Sequence, residues 1–214
     1  MIESTLVSVD VIVLRFDPEA RAVLVGVAPR EQEPFAGELA LPGVLLGRGE
    51  RLRDATTRAV TGKLGLAQES VTATGQLATF DEPSRDPRGP TLSIALWATV
   101  TGPTGEVAVW NRLDAVPPLA FDHDRIVADC RPLLADKLWR DVPFTAGLLG
   151  REFTTAQALD VTESLTGDRP YPANLGRTMD RVPGLGRTSE HAAALPKGGR
   201  PPLVWKWTSE AVRA

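Results

Sequence analysis

Cysteine is almost absent. Cys130 stands alone among 214 residues, which excludes an internal disulfide framework and points to a reducing cytoplasm. Histidine is nearly as scarce: His123 and His191 have no ligand-spaced companions, so neither reads as a metal site. Long apolar runs are missing too. The opening "MIESTLVSVDVIVLRF" is interrupted by Ser8, Asp10 and Arg15 and has no basic leader, which predicts neither a signal peptide nor a membrane span. No internal repeat is visible. What remains is ordinary globular composition, 43% hydrophobic and 24% charged, long enough for one large domain or two small ones.

The net charge of −3 hides an asymmetry. Residues 169–213 carry +5, which leaves −8 on the rest of the chain. A basic end on an acidic body is compatible with nucleic-acid binding, and equally with chance imbalance. Residues 5–16 and 21–27 are β-branched runs separated by "DPEA", which predicts a hairpin. Leu52, Ala55, Ala59, Val60 and Leu64 lie near helical spacing, which predicts a helix over 51–64. "SVTATGQLATF" and "TLSIALWATVTG" read as strands joined by the polar loop "DEPSRDPRGP". "FDHDRIVADCRPLLADKLW" reads as a closing helix capped by Asp122, with a break or kink at Pro132.

After "RDVP" the texture changes, which places a domain boundary between 140 and 141. Thr154 and Gln157 form a capping box for a helix that Gly167 ends. "PANLGRTMDRV" supplies a second, short helix with Leu175, Met179 and Val182 on its apolar face. A glycine-rich stretch then leads to the strand "RPPLVWKW", in which one of Trp205 and Trp207 is expected to face the core. Helix, turn, helix and a hairpin with a basic tip predict a winged helix-turn-helix over 141–214.

The stretch "GVLLGRGERLRDATTRAVTGKLGL" carries Glu50 and, seven intervening residues later, Arg58, followed by Val60, Gly65 and Leu66. This spacing resembles the Nudix box, and the resemblance implies a Nudix-like α/β/α sandwich with a mixed sheet over 1–140. It also implies diphosphate hydrolysis with divalent metal held by three helix glutamates. Here Ala59, Gly62 and Lys63 stand in those three places, and Val44 replaces the leading glycine beside Gly43. Positions i, i+3 and i+4 share a helix face. That face offers a methyl, a hydrogen and a cation, whereas Mg²⁺ needs oxygen ligands. The expectation is therefore a domain with no catalytic residue, metal or cofactor. The retained residues also have simpler readings. Asp54 and Arg58 can pair along the helix, Gly65 can be a C-cap, and Glu50 can be an acid favoured by the helix dipole.

"PREQEPFAGELALPG" and "DEPSRDPRGPTLSIAL" resemble loops of Nudix members that act on ADP-ribose-like diphosphates. Arg30 and Arg88 can grip a diphosphate through bidentate forks, and Phe35 can stack on or beneath an adenine. With Asp86, Glu50 and Arg58 they form the expected ligand set; a solvated Arg88 and a core-plugging Phe35 are the alternatives.

"EFTTAQALDVTESLTG", "NLGRTM" and "GGRPPLVWKW", joined to a disabled Nudix domain, resemble the Nudix-related transcriptional regulators (NrtR). The resemblance runs nearly full length and implies a cytoplasmic repressor of NAD biosynthesis or recycling genes. It implies a sensor of ADP-ribose or a related diphosphate, and a homodimer on palindromic operator DNA. The expected DNA-facing residues are Asn174, Arg177, Thr178 and Arg181 on the second helix and Lys197 and Arg200 at the wing tip. Each taken singly also reads as a solvated surface group. Gly176 departs from relatives in which that position is often basic. Two other readings remain open: a hydrolase recruiting metal through atypical acids, and a regulator of the same build that senses a sugar.

Overall fold

The computed structural model describes residues 5–191 and 203–211. The expected wing-tip residues Lys197 and Arg200 lie outside the described residues. β1 (Leu6–Asp17) and β2 (Ala22–Pro29) form the hairpin, with Val13 opposite Gly26. There follow β3 (Leu39–Ala40), β4 (Gly43–Leu45), α1 (Leu52–Leu64), β5 (Val71–Phe80), β6 (Thr91–Val100) and β7 (Val109–Arg112). Among the described residues these strands make a seven-stranded mixed sheet of order β3-β2-β1-β6-β5, with β4 paired to β1 and β7 to β2. β1 runs parallel to β6 and antiparallel to β2 and β4.

Strand β1 shows why helices cover both faces. Its side chains alternate across the sheet, and both sets are apolar. Val9, Val11 and Val13 share a core with Ala55, Ala59, Val60 and Leu64 of α1. Ile12 and Leu14 join the opposite core, with Ile126, Cys130 and Leu134 of α2 (His123–Lys137) and Phe144 of α3 (Val142–Leu149). Gly65 closes α1 at φ 67°, a left-handed conformation that glycine adopts without penalty.

Two local expectations need correction. α2 runs unbroken through Pro132. The bond that Pro132 cannot donate would have gone to the Ala128 carbonyl, and both residues are exposed, so solvent can satisfy it. Asp122 occupies the cap position of α2 without capping it; its carboxylate accepts instead from Arg85, at 2.6 and 3.1 Å.

α3 was not anticipated from the sequence. Asp141 caps it by accepting the Phe144 N–H at 3.1 Å, and Pro143 sits in its first turn, where a missing N–H has no helical partner to lose. Phe144 meets Trp97 edge-on at 4.9 Å, and a Cβ at Gly147 would clash with Thr99 Oγ1. α3 is thus pressed onto the sheet, and the core continues past residue 140.

The rest comprises β8 (Glu152–Thr154), α4 (Thr155–Thr166), α5 (Pro172–Met179), β9 (Leu185–His191) and β10 (Leu203–Trp207), with sheet order β8-β10-β9. This is the winged helix-turn-helix arrangement, and the chain as a whole is α+β. The capping box at Thr154 and Gln157 is formed, and Gly167 ends α4 at φ 86°. Leu175, Met179 and Val182 are buried. Trp205 and Trp207 are both buried, rather than one of them, because residues two apart on a strand share a face. No helix among the described residues is long and apolar enough to cross a membrane.

Candidate ligand cleft and nucleic-acid face

A cleft opens between the end of β2, the β3–β4 segment, the loop after β5 and the start of α2. Arg30, Lys63, Arg88, Phe121 and His123 line it, with Asp10 at its floor. Phe121 is the hub. Arg30 stacks over its ring at 4.5 Å, Arg88 lies at 5.6 Å, and Phe35 meets it edge-on at 4.8 Å. Phe35 and Phe121 both hold positive φ, 69° and 60°, at a cost of roughly 1 to 3 kcal/mol each for a non-glycine residue. Strain of that kind is tolerated where surrounding packing fixes the loops.

The two arginines differ in their partners. Arg88 forks onto Asp86 at 2.7 and 3.0 Å, whereas among the described residues Arg30 donates to the backbone carbonyls of Pro34 and Gln32, at 2.8 and 3.3 Å. Burial lowers the Arg30 pKa, and the neighbouring Arg88 charge lowers it further. Burial pushes the Asp86 carboxyl upward, but hydrogen bonds from the Arg88 side chain and backbone outweigh it and the net shift is downward. Two like charges thus lie against one ring, that of Arg88 already met by Asp86.

Beneath them sits a buried polar floor that the sequence reading missed. Asp10 accepts from Ser8 and Ser93 at 3.0 and 2.5 Å and lies 3.7 Å from Arg85. His123 Nδ1 accepts the Leu41 N–H at 3.0 Å, which leaves the proton on Nε2, 3.6 Å from Asp10. Burial drives the His123 pKa down despite the two nearby aspartates, so the ring is neutral. One sequence signal was available: Asp10 is an acid inside the apolar run "SVDVIVL".

Glu50 and Arg58 stand apart from this group. Arg58 forks onto Glu50 at 2.9 and 2.7 Å and donates to the Leu45 carbonyl at 2.9 Å, while Glu50 accepts the Gly47 N–H at 2.7 Å. Arg58 therefore pairs with Glu50 rather than with Asp54, and the pair braces the loop whose Val44 and Leu45 wall the cleft. The supposed metal face also divides. Ala59 is fully buried against the sheet, and only Gly62 and Lys63 reach the cleft. Among the described residues no cluster of His, Cys, Asp and Glu could hold a metal ion. The donor set does not fit a divalent cation.

On the second half, Asn174, Arg177, Thr178 and Arg181 are all exposed. Arg177 donates to the Asn174 side chain at 3.2 Å. Arg181 lies past the end of α5, in a groove with Thr178, Trp139 and Arg140. Two neighbours went unread. Tyr171, just before α5, is 80% exposed. Arg187 pairs with Asp180 at 2.6 Å, stacks over Trp205, and passes so near Gly176 that a Cβ there would meet it at 3.8 Å.

The halves are fastened through α4. Arg21 forks onto Asp160 at 3.1 and 3.0 Å, and Arg169 adds a bond to the same carboxylate at 2.8 Å. The buried Val23 N–H donates to Ser164 at 3.1 Å, and Arg131 of α2 donates to the Ser164 carbonyl at 2.9 Å. β2 thus touches α4 at its beginning and leads into Arg30 at its end.

No family model matches the chain. The ADP-ribose pyrophosphatase of Methanocaldococcus jannaschii is 34% identical over 108 residues, 47% of this chain. The match covers 61% of that relative's length. Among solved structures, Shewanella oneidensis NrtR complexed with a 27mer DNA is similar with a TM-score of 0.78 and 23% identity, covering 97% of this chain and 95% of that one. The Nudix domain of Shewanella oneidensis NrtR complexed with ADP ribose gives a TM-score of 0.52 and 24% identity, covering 62% of this chain and 90% of that one. At these identities the likeness establishes a shared fold, a Nudix-like domain joined to a winged helix.

Proposed function

We propose that this chain is a Nudix-related transcriptional repressor whose first part, residues 1–140, senses a nucleoside diphosphate such as ADP-ribose. Residues 141–214 would bind operator DNA, and α3 would join the two through the common core. The observation that carries this reading is a cationic cleft without metal ligands, on the same core as a winged helix. The fold shared with a DNA-bound regulator supports it. A homodimer on a palindrome follows from the brevity of α5, since eight residues read too few base pairs for genomic specificity. Control of NAD biosynthesis or recycling genes from the cytoplasm belongs to the same proposal. The test uses purified protein with ADP-ribose and with DNA from upstream of the neighbouring genes. Specific DNA binding that ADP-ribose alters supports the reading; DNA binding indifferent to sequence defeats it.

A second reading, hydrolysis, is favoured by the likeness to the archaeal pyrophosphatase. The geometry opposes it, because Asp10 and Asp86 are engaged by protein donors and Ala59 is buried. AMP release from ADP-ribose with Mg²⁺ is expected to match a metal-free control. Turnover of about 1 per second or faster would establish the enzyme instead.

A further inference from the structure

The cleft presents a disagreement between its fold and its charges. The Nudix box that it resembles neutralises a diphosphate with divalent metal, and the residues here do not fit that metal. Asp10 is held by Ser8, Ser93 and Arg85, and Asp86 is held by Arg88. The α1 residues that reach the cleft, Gly62 and Lys63, provide no oxygen ligand from a side chain. Lys63 is exposed at the cleft and takes part in no ion pair among the described residues. Arg30 likewise faces the cleft with its fork on backbone carbonyls; among the described residues it makes no salt bridge, and Asp86, Asp10 and Glu33 act on it only through space. A metal dication approaching this wall meets the ammonium of Lys63 and the guanidinium of Arg30, while the nearby carboxylates Asp10 and Asp86 are already held by protein donors. A diphosphate meets the same two charges as attraction, and the low exposure of the floor strengthens both effects.

We propose that Lys63 supplies the positive charge that a metal would otherwise bring, so that the cleft takes a diphosphate ester without divalent cation. This rests on the reading of the cleft as a nucleoside-diphosphate site, and it names Lys63 as a ligand contact of that site. An ammonium on a flexible stem suits the role, because it can follow a phosphate oxygen as a point charge while Arg30 stays fixed on Phe121. Gly62 leaves open space beside it, with nothing within 4 Å of where a Cβ would sit.

The experiment is calorimetry of the full chain with ADP-ribose, in EDTA and then in millimolar Mg²⁺, for the wild type, Lys63→Gln and Lys63→Arg. The wild type is expected to bind equally in both buffers. Lys63→Gln should bind about tenfold more weakly or worse in EDTA, the loss of one charge-assisted bond, while Lys63→Arg retains most affinity. Thermal melts should coincide for all three, since residue 63 is exposed. Wild-type binding that requires Mg²⁺ overturns the inference and leaves the ligand reading standing. Binding in neither buffer removes the ligand reading itself. Lys63→Gln binding as tightly as the wild type in EDTA rejects the role given to Lys63.

Discussion

Arg88 sits at the balance point of the cleft. Its fork is already satisfied by Asp86, so a ligand phosphate must share it or displace the carboxylate. Arg88→Ala is expected to weaken ADP-ribose binding by roughly 1.5 to 3 kcal/mol, about tenfold or more, with DNA binding in the absence of ligand near normal. Because Asp86 is buried, the same change leaves its carboxylate with the backbone N–H of residue 88 but without its ion pair, and a melt must accompany the titration. Wild-type affinity in the mutant would make Arg88 a loop brace for Asp86 and nothing more. Glu50 offers a test that needs no ligand. The Arg58 hydrogen bond, then the Gly47 N–H, hold its carboxyl at about 2 against an ordinary 4.5. The folded value lies below the unfolded one, so the contribution to stability is fully present above pH 4.5 and fades as pH falls toward 2. Carbon-detected NMR should show a Glu50 midpoint near 2 that returns toward 4.5 in Arg58→Gln. An unshifted wild-type midpoint would mean that the pair does not hold the loop in solution.

At the scale of elements, α5 is the part whose role the sequence exposes most directly. Arg177 is exposed, and among the described residues its side chain bonds to Asn174 alone, so it can turn toward a base edge. Arg177→Ala should relax preference at particular base pairs of the operator, by roughly 1 to 3 kcal/mol per half-site, while leaving scrambled DNA little affected. Equal weakening on both DNAs would reassign Arg177 to the backbone. The hairpin, α1, the long strands and the capping box were legible because each is written locally, in period, cap or turn residues. α3 was hidden because its eight residues, Thr145 apart, are apolar on every side and carry no period to read. The Arg30, Phe35, Asp86 and Arg88 group was legible from its loops, yet Phe121, His123 and Lys63 were not placed with it. They come from chain segments far apart, brought together only by the packing of α1 and α2 on opposite faces of the sheet. Glu50 and Arg58 were legible as a spaced pair, and the structure sets them as a brace behind the cleft wall rather than beside Arg30 and Arg88; spacing alone does not tell a brace from a binding group.

At the scale of the whole molecule, one core runs from the β1–β2 sheet through α2 and α3 into α4, α5 and β10. A sensor and a reader built on a common core influence each other only through contacts that differ between two states. As α2 does through His123 and Arg131, β2 touches both. It ends at Arg30 in the cleft, and near its start Val23 donates to Ser164 of α4 while Arg21, in the turn before it, clamps Asp160. If ligand shifts Arg30, the strand transmits the shift to the first helix of the helix-turn-helix. Coupling between two sites is reciprocal: the factor by which ADP-ribose changes operator affinity must equal the factor by which operator changes ADP-ribose affinity, in a range of roughly 5- to 150-fold. Ser164→Ala leaves the buried Val23 N–H without an acceptor and should destabilise the fold by about 1 to 3 kcal/mol, well short of unfolding it. Arg21→Ala removes an exposed partner while Arg169 continues to hold Asp160. Both variants should bind ADP-ribose and operator separately with near wild-type affinity, yet show a coupling factor closer to one when each ligand is titrated in the presence of the other. Were the factor to stay at its wild-type value in both, the strand–helix contact would be a passive joint. The signal would then have to pass through α2 or between the copies of a dimer.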